Sequence, residues 1–326
     1  MDIGLGLDSR LSLTAADQRA LAAEAADLGY QSLWTPNSGT KDVFELCDAW
    51  YAASGLATGI SVLPRQTWSI DELAGGGAGL ARRTGGTFVL GVGSGTEQAR
   101  PIGLMRDTIA ALRERLDTTI PVYLGALGPQ MLRLAGERYD GAALNWSDPE
   151  RVAASRATVA AGADDAGRDP AAVRIHQYIR VCVDDDAGAA RTALAKMVLS
   201  YAMARPGADP SKGYRGNFAR MGFDAALRMI ERARDQGADL DNLADALPDA
   251  LLAKVGYWGP PAGAREAFMR LAEGLDTAVV RVVAATRSDA DGVRAAMRAC
   301  APVAERTPEA SGPRAGRRRT RGSPPA

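Results

Sequence analysis

Short apolar runs alternate along the chain with longer stretches in which apolar residues recur every three or four positions. The runs are IGLGL (3–7), QSLWT (31–35), TGISVL (58–63), TFVLGV (87–92), IPVYLG (120–125), GAALNW (141–146), VRIHQYIRVCVD (173–184) and TAVVRVVA (277–284). They are rich in β-branched residues and mostly lack strict polar alternation, as expected of strands in a parallel sheet covered on both faces. The stretches between them read as helices. In TAADQRALAAEAADLG (14–29), Thr14 can cap the start and Gly29 can end the helix. Eight strands with helical crossovers in about 300 residues favour an α/β fold of the closed (β/α)8, or TIM barrel, type over a doubly wound sheet.

The segment 186–255 is longer than a simple crossover and is helical in pattern around the loop PGADPSKGYRGN (206–217). It reads as a helical insertion near the C-terminal end of the barrel, either a lid or a purely packing elaboration. The barrel domain is expected to span 1–305. Residues 306–326, rich in Pro, Gly, Ser and Arg without an apolar period, are expected to form a disordered basic tail. Within DELAGGGAGLARR, four glycines fall where a helix is expected, each costing about 1 kcal/mol against alanine. Either a neighbour approaches closely there or the helix is soft.

Composition narrows the class. The 326 residues are 46% hydrophobic and 24% charged, with 39 basic and 39 acidic side chains, so no net field draws the chain to nucleic acid or a membrane. The balance hides a split. The tail carries six arginines against Glu309, which leaves the body mildly acidic. Cys47, Cys182 and Cys300 match no metal or disulfide spacing, as expected in a reducing compartment. With no signal-like start and no apolar stretch long enough to span a bilayer, the cytoplasm is the expected location.

Two strand ends could carry chemistry. In LGALGPQML (124–132) a strand meets glycines and then a helix start, with Pro129 at the first helical position. Such a turn is either an ordinary tight connection or an anion site, where free N–H groups and the helix dipole meet a phosphate. In LGVGSGTEQARP (90–101), Gly91, Gly93 and Gly95 allow close approach to a flat ligand, and Glu97 is either a working carboxylate or a solvated loop acid. His176, the one histidine, lies mid-strand and reads as structural. A Ser-His-Asp triad and a His-rich metal site are thereby excluded, and no metal ligands are assigned. A barrel of this kind is suited to an organic cofactor that carries the difficult chemistry.

QSLWTPN (31–37), TGISVLPR (58–65), TFVLGVGSG (87–95), IPVYLGALGPQMLRLAGERYDGAALNW (120–146) and VGYWGPPAGAREAFMRLAEGLDTAVVRVV (255–283) together resemble the bacterial luciferase-like flavin monooxygenase family, in its coenzyme F420-dependent oxidoreductase branch. The resemblance implies a barrel whose deazaflavin ring lies across the strand ends, backed by a non-prolyl cis peptide placed by position at Gly59–Ile60. It also implies cofactor contacts at Gly93, Ser94 and Gly95, and at Gly125, Ala126, Leu127, Gly128 and Pro129.

Many relatives carry an acid or histidine after strand two, where this chain reads Trp34, Thr35, Pro36, Asn37, Ser38. Asn37 can hydrogen-bond but cannot act as a general acid. The common Gly-Arg before strand four is Gly86-Thr87, and the histidine often found near position 67 is absent. The expected function is hydride transfer between coenzyme F420 and a small organic substrate, with Glu97 as the first candidate for proton transfer and Asn37 for polarising the substrate or hydrogen-bonding the ring. The alternatives are an FMN-dependent monooxygenase served by a flavin reductase and a cofactor-binding protein without turnover. A homo-oligomer is implied by the resemblance, and neither a specific nucleic acid nor a membrane is expected as a partner.

Overall fold

The computed structural model describes residues 1–37, 39–95, 99–204 and 207–302. Glu97 and the tail 306–326 therefore lie outside the described residues. In chain order the elements are β1 (Asp2–Gly6), α1 (Ala15–Asp27), β2 (Ser32–Thr35), α2 (Val43–Ser54), β3 (Ala57–Pro64), α3 (Ile70–Arg83), β4 (Phe88–Gly93), α4 (Pro101–Arg113), β5 (Val122–Gly125), α5 (Pro129–Arg138), β6 (Gly141–Asn145) and α6 (Pro149–Asp165). There follow β7 (Arg174–Val183), α7 (Ala187–Ala202), α8 (Gly213–Phe218), α9 (Asp224–Asp235), α10 (Leu240–Asp245), α11 (Asp249–Val255), β8 (Gly256–Gly259), α12 (Pro261–Leu271), β9 (Thr277–Val282) and α13 (Asp289–Ala299).

Strands β1 to β7 pair in parallel in sequence order, and β9 closes the ring between β7 and β1. This is the expected eight-stranded parallel barrel. The short β8 was not anticipated. It pairs with Arg180–Val183 of β7, taking the edge that β6 leaves free beyond Asn145. No helix among the described residues is long and apolar enough to cross a membrane.

Alternation divides the strands into two faces. Leu5, Leu33, Ile60, Leu90, Val122, Leu124, Ile175 and Val280 belong to the large core of buried residues that includes the surrounding helices. A second cluster fills the barrel: Trp34, Tyr123, Tyr178 and Val279, joined by His176, whose ring lies 4.0 Å from that of Trp34. Trp34 fits because two strands carry no side chain beside it. A Cβ on Gly4 would stand 2.8 Å from Trp34 Cδ1, and one on Gly59 would overlap the indole. The helices between β7 and β8 pack around a third cluster, built from Leu194, Val198, Phe218, Leu227, Leu251 and their neighbours, which also buries Trp146 at the end of β6.

Local signals behave as read. Thr14 closes a capping box with Asp17, and Gly29 follows the helix at φ 83°. In α3 the close-approach reading applies at one position: a Cβ on Gly76 would enter the ring of Phe44, whereas Gly75 faces open space.

Candidate functional site at the carboxyl end of the barrel

The site begins with a fault in β3. Its pairing with β4 runs in register from Thr58 to Ile60, shifts, and resumes at Leu63. Ser61–Val62 within the shift is the cis peptide. The expected position, Gly59–Ile60, is corrected by two residues. Gly59 pairs regularly with Trp34 and Val89 and makes room for the indole, while Ile60 is fully buried in the outer core. The extra residue turns Val62 onto neighbouring strands instead. A Cβ on Gly93 would stand 2.8 Å from Val62 Cγ2, and one on Gly125 would stand 3.2 Å from the same methyl. A Cβ on Gly91 would strike the Ile60 carbonyl oxygen. The glycines of the two strand-end turns thus accommodate the bulge, and Val62 presents a half-buried apolar surface at the barrel mouth.

The β5–α5 turn lies beside this bulge. Ala126 N–H continues the sheet by donating to the Ala143 carbonyl at 3.1 Å. Gly128 is the N-cap of α5, Pro129 follows it, no side chain caps the helix, and nothing stands within 4 Å of where a Gly128 Cβ would be. The first-turn N–H groups are free of a side-chain cap. Arg220 reaches over the turn and donates through Nη2 to the Leu127 carbonyl at 3.3 Å. Its own burial, and then the charge of Arg151, hold the Arg220 guanidinium below its usual range. A phosphate fits this arrangement: a helix N-terminus, space before it, and Arg220 over the turn. Ser94 and Gly95 stand at the end of β4, where the Ser94 hydroxyl donates to the Gly95 carbonyl at 3.3 Å. Asn37 accepts a hydrogen bond from Trp68 Nε1 at 2.8 Å, so its carbonyl oxygen is already engaged by the loop after β3.

Residues that sequence reasoning missed fill the opposite side of the mouth. β7 sends His176, Tyr178 and Arg180 inward in succession, and Arg180 is in register with Arg281 of β9. Arg281 is 3% exposed and Asp8 is 4% exposed, and the two form an ion pair in which Nε and Nη2 both donate to Asp8 Oδ2, Nε at 2.6 Å. Burial opposes the Arg281 charge, but Asp8, together with Tyr201 and Tyr178, outweighs it and holds the guanidinium above its usual range. Arg180 is fully buried; its Nη1 donates to Asn145 Oδ1 and, at 3.1 Å, to the Tyr178 carbonyl. Its guanidinium carbon lies 3.8 Å from the Trp146 ring centre and 5.6 Å from that of Tyr201. Burial, then the neighbouring Arg281, push Arg180 down to about 9.

Helical residues cover this side. The Tyr201 and Tyr214 rings meet edge to face at 4.8 Å, Tyr214 Oη accepts from Asn145 Nδ2 at 2.9 Å, and Asn217 donates to the Trp146 carbonyl at 2.8 Å. A groove of about 440 Å³ opens beside Asp8 between the loops after β1 and β9 and the flank of α7. Strand seven carried a legible signal, since His176, Tyr178 and Arg180 recur at every second position while Ile175, Ile179 and Val181 fall on the other face. His176 itself is inert: it is fully buried, its two ring nitrogens have no partner among the described residues, and burial pushes it down to about 3. No cluster of three or more His, Cys, Asp or Glu among the described residues is placed to hold a metal ion.

The chain has known relatives, and its barrel has known counterparts. The 5,10-methylenetetrahydromethanopterin reductase of Methanolobus tindarius is 29% identical over 229 residues, 57% of this chain and 70% of the relative. The coenzyme F420-dependent tetrahydromethanopterin reductase from Methanopyrus kandleri superposes with a TM-score of 0.71 at 18% identity, covering 90% of this chain and 96% of that one. An F420-dependent secondary alcohol dehydrogenase, solved with an F420–acetone adduct, gives 0.69 at 14% identity, covering 92% and 98%. These two likenesses establish the shared barrel. The family model described as luciferase-like monooxygenase matches residues 106–278, more than half of the sequence. The chain belongs to the luciferase-like monooxygenase family.

Proposed function

We propose that the protein is a coenzyme F420-dependent oxidoreductase that moves a hydride between the deazaflavin and a small organic substrate. The observation that carries the reading is the pairing of a glycine-backed apolar bulge with an uncapped helix N-terminus on one face of the barrel. The relatives named F420-dependent and methylenetetrahydromethanopterin reductases support it. When bound, the deazaflavin supplies a hydride-accepting carbon at ring position 5.

The chain's own part is binding, orientation and dryness. Val62, seated on Gly93 and Gly125, backs the ring. The α5 N–H groups at Gly128 and beyond, with Arg220, hold the phosphate. Trp146, Tyr201 and Tyr214 wall the substrate side and exclude water, which strengthens each polar contact made there. Asn37 orients a ring or substrate polar atom through its amide N–H, since its oxygen is bound to Trp68. Glu97 is retained as the proton-transfer residue on sequence grounds. The helices between β7 and β8 act as a lid over the substrate. The reading carries with it a cytoplasmic location and assembly into a homo-oligomer, which light scattering on the purified protein tests.

The deciding experiment is a parallel fluorescence titration of the purified protein with oxidised F420 and with FMN. Selective F420 binding is expected. FMN binding with oxygen uptake in the reduced state would move the protein to the monooxygenase class, and tight F420 binding without hydride exchange on any substrate would leave a binding protein without turnover.

A further inference from the structure

Arg180 and Arg281 stand side by side in the barrel mouth, yet Asp8 serves only one of them. The Nε and Nη2 atoms of Arg281 both donate to Asp8. The same two atoms of Arg180 are buried and have no acceptor among the described residues. Its remaining nitrogen is spent on neutral oxygens, Asn145 Oδ1 and the Tyr178 carbonyl. The three groups together carry one positive charge away from water. An isolated buried charge is strongly unfavourable, so folding tolerates it only against a return, in stability or in binding.

The idle atoms have a shape. Nε and Nη2 form one edge of the guanidinium, with two parallel N–H bonds spaced for the two oxygens of a planar anion. The Trp146 ring fixes the plane of that edge at 3.8 Å. Two further donors in the cluster, Tyr178 Oη and Trp146 Nε1, are also buried and without partners among the described residues. Tyr201 stands between Arg180 and Arg10: its ring centre lies 5.6 Å from the Arg180 guanidinium carbon, its hydroxyl accepts from Arg10 Nη2 at 2.8 Å, and Arg10 lines the groove beside Asp8.

We propose that Arg180 is the receptor for a carboxylate on the organic substrate, gripped at two points by Nε and Nη2 beneath Tyr201 and Tyr214. The word substrate rests on the oxidoreductase reading; the anion site does not. A purely structural arginine, stacked on Trp146 and tied to Asn145, would show no preference for anions.

The test titrates the full chain, with and without F420, with acetate and benzoate against the isosteric acetamide and benzamide, and with phenylphosphonate. It is followed by tryptophan fluorescence, for which Trp146 is the stacked reporter. The acids are expected to bind at least about tenfold more tightly than the amides. Arg180→Lys keeps the charge but loses the fork and is expected to lose about tenfold in benzoate affinity with F420 affinity unchanged. Arg180→Gln should abolish acid binding, and if it does not fold, the lysine variant decides. Equal binding of acids and amides, no acid binding, or wild-type benzoate affinity in Arg180→Lys would overturn the proposal. Tighter binding of phenylphosphonate than of benzoate would overturn the carboxylate in favour of a phosphate. Loss of F420 binding alone strikes the oxidoreductase reading and leaves the acid-to-amide ratio to judge this one.

Discussion

Val62 rests on Gly93 so closely that a Cβ added to the glycine would stand 2.8 Å from Val62 Cγ2. The contact links two strands at the point where the register of β3 with β4 shifts, and it fixes how far the bulge projects into the mouth. Gly93→Ala is expected to push Val62 outward and weaken F420 binding by about tenfold. Val62→Ala in the same chain makes room for the new methyl. Affinities of the two single variants and the double variant form a cycle, and the expected coupling is a double variant tighter than the product of the singles predicts. Additive effects would remove Val62 from the binding surface.

Arg220 bridges to the Leu127 carbonyl over the start of α5. Removing it as Arg220→Ala takes away a cation at the phosphate position while leaving the glycine turn intact. Cofactor affinity should fall several-fold at low salt, and the difference from wild type should shrink as ionic strength rises and screens the charge. A salt-independent loss would instead indicate that the arginine holds the turn in shape.

His176 sets part of the acid limit of stability. Burial pushes its folded value down to about 3, against the ordinary value of 6.5 in the unfolded chain. Between those values the unfolded chain takes up a proton that the folded one refuses, so stability is full above about pH 6.5 and falls as pH drops toward 3, by on the order of several kcal/mol. Urea unfolding of wild type and His176→Phe across that window should show a shallower acid slope in the variant. Parallel slopes would mean that His176 is protonated in the folded barrel.

Asp8 neutralises Arg281 in the barrel mouth. Asp8→Asn leaves a second uncompensated guanidinium beside Arg180 and is expected to cost roughly 3 kcal/mol or more by denaturant unfolding. Asp8→Asn with Arg281→Met removes both charges and should recover most of that loss. A single variant within about 0.5 kcal/mol of wild type would show that water or a bound ion already screens the pair.

Much of the barrel was legible because burial on both faces leaves a simple mark, and all eight apolar runs became barrel strands. The β5–α5 turn was legible for a similar reason, since Gly128 and Pro129 have local conformational duties as N-cap and first helical residue. β8 was not, because GYWG is four residues long and pairs only where β6 has ended. The cis bond was placed two residues early. Gly59 resembles a bulge glycine in sequence, but its missing side chain serves the Trp34 ring, a contact that no local pattern reveals.

The sequence by itself determined the eight barrel strands, the caps, the glycine turns and the family resemblance, because each depends on short-range preference or on period. Only the tertiary structure decided which residues meet at the mouth. Asp8 and Arg281 are 273 positions apart. Asn217 finds Trp146 across 71 positions, and Val62 finds Gly93 and Gly125 only after a register shift turns it inward. Closure of the ring by β9 against β1 and β7 brings the arginines to one rim. Which of them holds a carboxylate, and which lacks one, follows from that closure and from no spacing along the chain.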